Sequence, residues 1–130
     1  MPKEVIRTGQ APKAIGPYSQ AVLAGGVLYA SGQIGLDPAT GELVQGGFEA
    51  EARRVLVNLQ AVAVGAGMTM ADAVRLTVYL VDLADFARLN EIFSSVLVEP
   101  YPARATVEVA ALPRGARVEI DMIAIKGGKD

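Results

Sequence analysis

The stretch YPARATVEVAALPRGARVEIDMIAI, Tyr101 to Ile125, alternates apolar and polar side chains in both of its halves, the period of a strand with two different faces. In the first half Ala105, Val107 and Val109 share one face while Arg104, Thr106 and Glu108 share the other. In the second, Val118, Ile120 and Met122 oppose Arg117, Glu119 and Asp121. Between them Leu112-Pro113-Arg114-Gly115-Ala116 supplies a Pro that fixes φ and a Gly that accepts positive φ, so the stretch reads as a β-hairpin. Such a hairpin brings an arginine fork, a threonine and several carboxylates onto one surface of one sheet.

Outward from the hairpin, the earlier chain supplies the partners it needs. Glu4 to Arg7 is a short first strand, followed by a loop from Gly9 to Gly16. Gly16-Pro17 marks a turn, and Tyr18 opens a strand through Val22 and Leu23. Gly25-Gly26 reads as a hairpin turn into Val27 to Ile34, where Gly32 marks a bulge or the close approach of another backbone. Phe48, Ala52, Val55, Leu56, Leu59, Val62 and Ala63 recur at helical spacing, predicting a helix from Phe48 to Ala66 with Gly67 as its cap and Asn58 off the apolar stripe. Asp72 to Val81 alternates as a strand, with Val74, Leu76, Val78 and Leu80 against Arg75, Thr77 and Tyr79. Asp82 is placed to cap a second helix buried through Phe86, Leu89, Phe93, Val96 and Leu97, and Pro100 ends it.

The order is β-β-β-α-β-α-β-β, which predicts an α+β fold, one domain over residues 1–130, with both helices on one face of one sheet. The uncovered face is then expected to carry Arg75, Thr77, Tyr79, Arg104, Thr106, Glu108, Glu119 and Asp121 among aliphatic side chains. A large semi-polar face of that kind predicts that copies of the chain pack these faces around a symmetry axis and leave clefts at the seams.

With 130 residues and 52% hydrophobic content, the chain is long enough to bury a core of its own. Twelve basic and 14 acidic residues give a net charge of −2, which offers nucleic acid and anionic membranes no general attraction. Met1-Pro2-Lys3-Glu4 has no apolar signal core and no run approaches a membrane span, so a cytoplasmic protein is expected. There is no Cys and no His. That removes disulfides, thiolate nucleophiles, histidine-based triads and nearly every zinc site, and leaves side-chain proton transfer to Asp, Glu, Lys or Tyr. No glycine pattern forms a phosphate-binding fingerprint.

Several long words of the chain resemble the reactive intermediate deaminase (RidA, YjgF-type) family. They are Ile15-Gly16-Pro17-Tyr18-Ser19-Gln20-Ala21, Ser31-Gly32-Gln33-Ile34, Asn58-Leu59, Tyr101 to Val109, Leu112-Pro113 and Val118-Glu119-Ile120, in order and over nearly the whole sequence. The resemblance implies a chorismate-mutase-like fold and a homotrimer whose sheets form a central barrel, with active sites between subunits. It implies cofactor-independent, metal-free hydrolysis of the enamine and imine products of pyridoxal-phosphate enzymes to 2-oxo acids and ammonia. On that resemblance Arg104 binds the substrate carboxylate and Glu119 orients or activates the attacking water. Tyr18, Ser31, Gly32 and Thr106 shape the substrate pocket. Many members carry Cys where this chain has Thr106, which bears on substrate range.

The chemistry needs no histidine. An imine is already electrophilic, so a placed water, a carboxylate clamp and acid-base help of roughly 10²–10⁴-fold are enough. The planar fork of Arg104 suits a 2-imino acid's carboxylate. For Asn90, Glu108 and Arg117 capping and pairing are the expected roles, and they compete with pocket contacts for Ser31. Two other readings stand beside the deaminase: an endoribonuclease, which the acidic balance and the lack of histidine disfavour, and a non-catalytic, chaperone-like trimer that holds small carboxylates.

Overall fold

The computed structural model of the chain describes residues 2–127. The expected domain over 1–130 therefore begins and ends at positions outside the described residues. Eight principal elements follow one another as β1 (Glu4–Ile6), β2 (Ala21–Ala24), β3 (Val27–Gln33), α1 (Gly47–Gly65), β4 (Ala73–Leu80), α2 (Phe86–Val96), β5 (Ala103–Glu108) and β6 (Val118–Ile125). The element order is the one the alternation and helical spacings predict. Tyr18 is a correction: it stands in the loop before β2, about half exposed, because the Gly16-Pro17 turn continues to Gln20 and the strand begins only at Ala21.

The six strands form one mixed sheet in the order β1-β2-β3-β6-β4-β5. Every neighbouring pair is antiparallel except β4 and β5, which run parallel. Parallel neighbours need a crossover, and α2 supplies it. This overturns the expected hairpin, since β5 and β6 are not paired and β4 lies between them. The physical reason is burial. On β4, Leu76, Val78 and Leu80 are wholly buried, which suits a strand flanked on both edges, whereas no residue of β5 is fully buried, which suits an edge. The Pro113–Gly115 segment is a short 3₁₀ turn within a connection that carries the chain past the end of β4. There the Val109 N–H donates to the Leu80 carbonyl and the Val81 N–H to that of Arg117.

The faces change with the pairing. Leu76, Val78 and Leu80 stand beside Arg104, Thr106 and Glu108 on one side, and beside Met122, Ile120 and Val118 on the other. Residues directly opposite one another in neighbouring strands share a face. Arg104, Thr106 and Glu108 therefore belong to the helix-covered face, at its edge. Glu119 and Asp121, opposite Tyr79 and Thr77, belong to the uncovered face.

α1 buries all seven of its expected apolar residues against the sheet, where Leu28, Ile120 and Met122 are also inaccessible. Each such large aliphatic side chain contributes about 1.5–3 kcal/mol by leaving water. Gly67, at φ 76°, closes α1 in a left-handed turn: its N–H donates to the Val64 carbonyl and that of Met68 to Ala63. On α2 the buried residues are Leu89, Ile92 and Phe93, while Phe86 and Val96 stay partly exposed. Asp82 caps the 3₁₀ turn Leu83–Asp85 that leads into α2, accepting from the Ala84 N–H at 2.9 Å.

Candidate active site

β5 sets Arg104 against α2. Its Nη1 donates to Asn90 Oδ1 at 2.7 Å, and its guanidinium carbon lies 5.2 Å from the Phe86 ring centre and 5.6 Å from that of Phe93. Aromatic faces attract a cation without neutralising it. Among the described residues no carboxylate pairs with Arg104. A guanidinium has five N–H donors, so most of this fork stays available to an anion from outside the chain. Asn90, Phe93, Ser94, Tyr101 and Arg104 are among the walls of a cleft of about 280 Å³. Asn90, expected to cap or pair within the fold, pairs with the arginine. On the same strand the hydroxyl of Thr106 is buried and has no hydrogen-bond partner.

Glu119 lies on the other face, under a bulge. The β3–β6 pairing shifts register between Ala30 and Gln33, and Gly32 sits in that gap. A Cβ at Gly32 would collide with Glu119 Oε2. The expected bulge is present, and what approaches the glycine is a carboxylate instead of another backbone. Burial pushes the Glu119 carboxyl above its ordinary value, and the neighbouring Asp121 charge adds to the rise. Asp121 accepts a hydrogen bond from the Tyr79 hydroxyl at 3.0 Å, and this bond, more than burial, raises the Tyr79 phenol.

Tyr18, Ser31, Gly32 and Glu119 line one cleft of about 450 Å³, together with Lys13 and Arg114. Ser31 is tied to its wall, for its hydroxyl donates to the Ser19 carbonyl at 2.6 Å and its N–H to that of Gln20 at 3.0 Å. Gln20, buried, donates through Nε2 to the carbonyls of Thr8, Ala11 and Pro12 and accepts from the Thr8 N–H, so one side chain folds the whole loop that carries Tyr18. Four of the six expected site residues thus come together. Arg104 and Thr106 lie apart from them on the opposite face, in contrast to the single surface the hairpin implied.

Two polar residues of α1 are buried where the sequence did not place them. Asn58 is inaccessible, not off the stripe; it donates to the Ile34 and Leu36 carbonyls at 3.3 and 3.0 Å and so anchors the chain after β3. Glu51, equally buried, accepts from the Arg117 N–H at 2.7 Å and from its Nη1 at 3.2 Å, fixing the start of β6 two residues before Glu119. Their spacing with Val55 and Val62 on α1 was the available signal.

The endoribonuclease L-PSP family profile matches residues 8–126. The chain is 48% identical over 125 residues to human 2-iminobutanoate/2-iminopropanoate deaminase, covering 96% of this chain and 91% of that one. The chain belongs to the RidA (YjgF-type) family. It is also 54% identical over 127 residues to protein DfrA of Myxococcus xanthus, covering 96% of this chain and 97% of that protein. The solved structure of RidA from an Antarctic Psychrobacter species superposes with a TM-score of 0.91 at 52% identity, over 94% of this chain and 98% of that one. Among the described residues no helix is long and apolar enough to cross a membrane, and no cluster of three or more His, Cys, Asp or Glu could hold a metal ion.

Proposed function

We propose that this protein is a cytoplasmic, cofactor-independent deaminase that hydrolyses small 2-imino acids such as 2-iminobutanoate and 2-iminopropanoate to 2-oxo acids and ammonia. The observation that carries the reading is the Arg104 guanidinium, held by a neutral amide and two aromatic faces and left with donors for a carboxylate. Glu119 supplies the second function. A carboxyl raised by burial is a stronger base once ionised, suited to take a proton from water as the oxygen adds to the imine carbon. The imine nitrogen takes up a proton as the C–O bond forms. Glu119, having passed its first proton to that nitrogen, takes the proton of the added hydroxyl and delivers it to the amine as the C–N bond breaks, so that ammonia leaves and the 2-oxo acid remains.

Arg104 and Glu119 lie on opposite faces of one sheet, so a site that uses both is incomplete within one chain. Three copies, each a single domain over residues 1–130, would pack their uncovered faces into a central barrel. Each Arg104 cleft would then face the Glu119 cleft of a neighbour. The uncovered face offers Tyr29, Val107 and Ile125, each more than 40% exposed, for that packing. Thr106 and Tyr18 complete the walls, with Ser31 and Gly32 shaping the space at Glu119.

The test is coupled turnover of 2-iminobutanoate generated in place by an amino-acid-consuming enzyme, with the same preparation incubated with RNA. Release of 2-oxobutanoate above the spontaneous rate and intact RNA are expected. RNA cleavage without faster imine hydrolysis would replace this reading with the endoribonuclease one, and carboxylate binding without either activity would leave the chaperone-like trimer.

A further inference from the structure

The Glu119 cleft has more positive charge than 2-iminobutanoate needs. Its charged walls are Lys13, Arg114 and Glu119, and among the described residues neither cation pairs with a carboxylate. In the single chain the cleft encloses about 450 Å³, before a neighbouring copy faces it. A second cleft of about 440 Å³ adjoins it across Tyr18 and shares Lys13; its charged walls are Arg7 and Lys13, again without a carboxylate. In a chain of net charge −2 this is a local reversal of sign.

The backbone before Lys13 and the side chain of Arg114 are each held by a hydrogen bond. The Pro12 carbonyl, next to Lys13, accepts from the buried Gln20 amide at 2.8 Å. Arg114 adopts φ 63°, a left-handed conformation uncommon outside glycine and asparagine, and its Nη2 donates to the Gly41 carbonyl at 3.1 Å. A neutral hydrogen bond leaves the guanidinium charge in place.

We infer that Lys13 and Arg114 form a second anion subsite, and that the preferred substrates are 2-imino acids with an acidic side chain, 2-iminodicarboxylates of the kind derived from glutamate. This rests on the deaminase reading for the placement of the first carboxylate at Arg104 and of the imine carbon near Glu119. The distal carboxylate then lies toward Lys13 and Arg114. Two exposed ion contacts of ordinary strength together favour such a ligand about tenfold over its monocarboxylate counterpart.

Two measurements separate this inference from the reading it extends. Ligand-observed NMR titration compares 2-oxoglutarate with 2-oxobutanoate, the products of the two substrate classes, and coupled assays compare kcat/KM for the corresponding imines. The dicarboxylate is expected to bind about tenfold tighter, and the double variant Lys13→Gln with Arg114→Asn, chosen because Asn tolerates positive φ, should bring the ratio near one. Lys13→Arg with Arg114→Lys should retain the preference. Equal binding in the parent protein, binding of neither oxo acid, or a preference that survives loss of both charges overturns the subsite. Should the binding preference hold while neither imine is hydrolysed, the deaminase reading fails and the subsite stands. Should 2-iminobutanoate be hydrolysed without any preference for the dicarboxylate, the subsite fails alone.

Discussion

The surroundings of Arg104 and of Glu119 are opposites, although both residues come from the alternating stretch near the C-terminus. Arg104 stands on an edge strand among neutral neighbours, an amide oxygen and two aromatic rings. Glu119 stands on an inner strand, partly desolvated and beside a second carboxylate, so its charge is disfavoured. One region presents a guanidinium with no carboxylate paired to it among the described residues, while the other holds a carboxyl inclined to keep its proton. On the proposed deaminase reading, a substrate clamp and a base need those two environments, and opposite faces of one sheet supply them.

The sharpest way to break the contrast is to remove each charge function in turn. Glu119→Gln keeps the shape and removes the base, so hydrolysis of 2-iminobutanoate should fall by about 10²–10⁴-fold while 2-oxobutanoate still binds in NMR titrations. Arg104→Lys retains the charge but loses the planar fork, so turnover and binding should fall together, turnover by about a hundredfold or more. Circular dichroism and sedimentation should show both variants folded and assembled as the parent is. Steric change at the bulge comes next. Gly32→Ala places a methyl group where Glu119 Oε2 lies, and because that atom ends a flexible side chain the fold should survive while turnover drops about tenfold.

The electrostatic contrast can be tuned more finely. Catalysis by ionised Glu119 should give an acid limb to the pH–rate profile lying above the ordinary carboxylate range, with activity rising as pH passes through the raised pKa. Asp121→Asn removes the neighbouring charge but not the burial, so the limb should move to lower pH without disappearing. The same shift acts on stability with the opposite sense. A carboxyl whose folded pKa is raised favours the fold below its unfolded pKa and loses that contribution as pH climbs through the folded one. Thr106→Cys should have the smallest effect, because the threonine hydroxyl makes no hydrogen bond that a thiol would lose. A large change in kcat/KM would place that side chain in contact with the reacting atoms.

Much of the fold was legible because its signals are local. Helical spacing in α1, alternation in β4 and β6, and the glycine at the end of α1 fix type and approximate bounds from neighbouring residues alone. The strand partners were not legible in the same way. Two alternating segments joined by Pro113 and Gly115 look like a hairpin, and nothing between Tyr101 and Ile125 reports that β4 fits between them. The contrary signal lay further back, in the strand-helix-strand order from Ala73 to Glu108, which favours a parallel pair joined by a crossover helix. Period two also tells which residues share a face but not toward which side that face points. Arg104 and Glu119 could therefore be singled out from the sequence but not placed relative to each other. Asn58 and Glu51 were missed because polar residues at buried helical positions are excluded from an apolar stripe by definition, even when their spacing belongs to it.

The central claim is that the Arg104 of one copy works with the Glu119 of another, and subunit mixing tests it most directly. Arg104→Lys and Glu119→Gln proteins, each nearly inactive alone, are dissociated, mixed in equal amounts and reassembled, with mixed trimers confirmed by native mass spectrometry. If each site takes its arginine and its glutamate from different copies, random mixing leaves about a quarter of the sites with both residues intact, and 2-iminobutanoate hydrolysis should return toward that fraction of the parent rate. If both residues served a site within one chain, no mixed assembly would contain an intact site. Confirmed mixed trimers that remain as inactive as the separate variants would contradict the account.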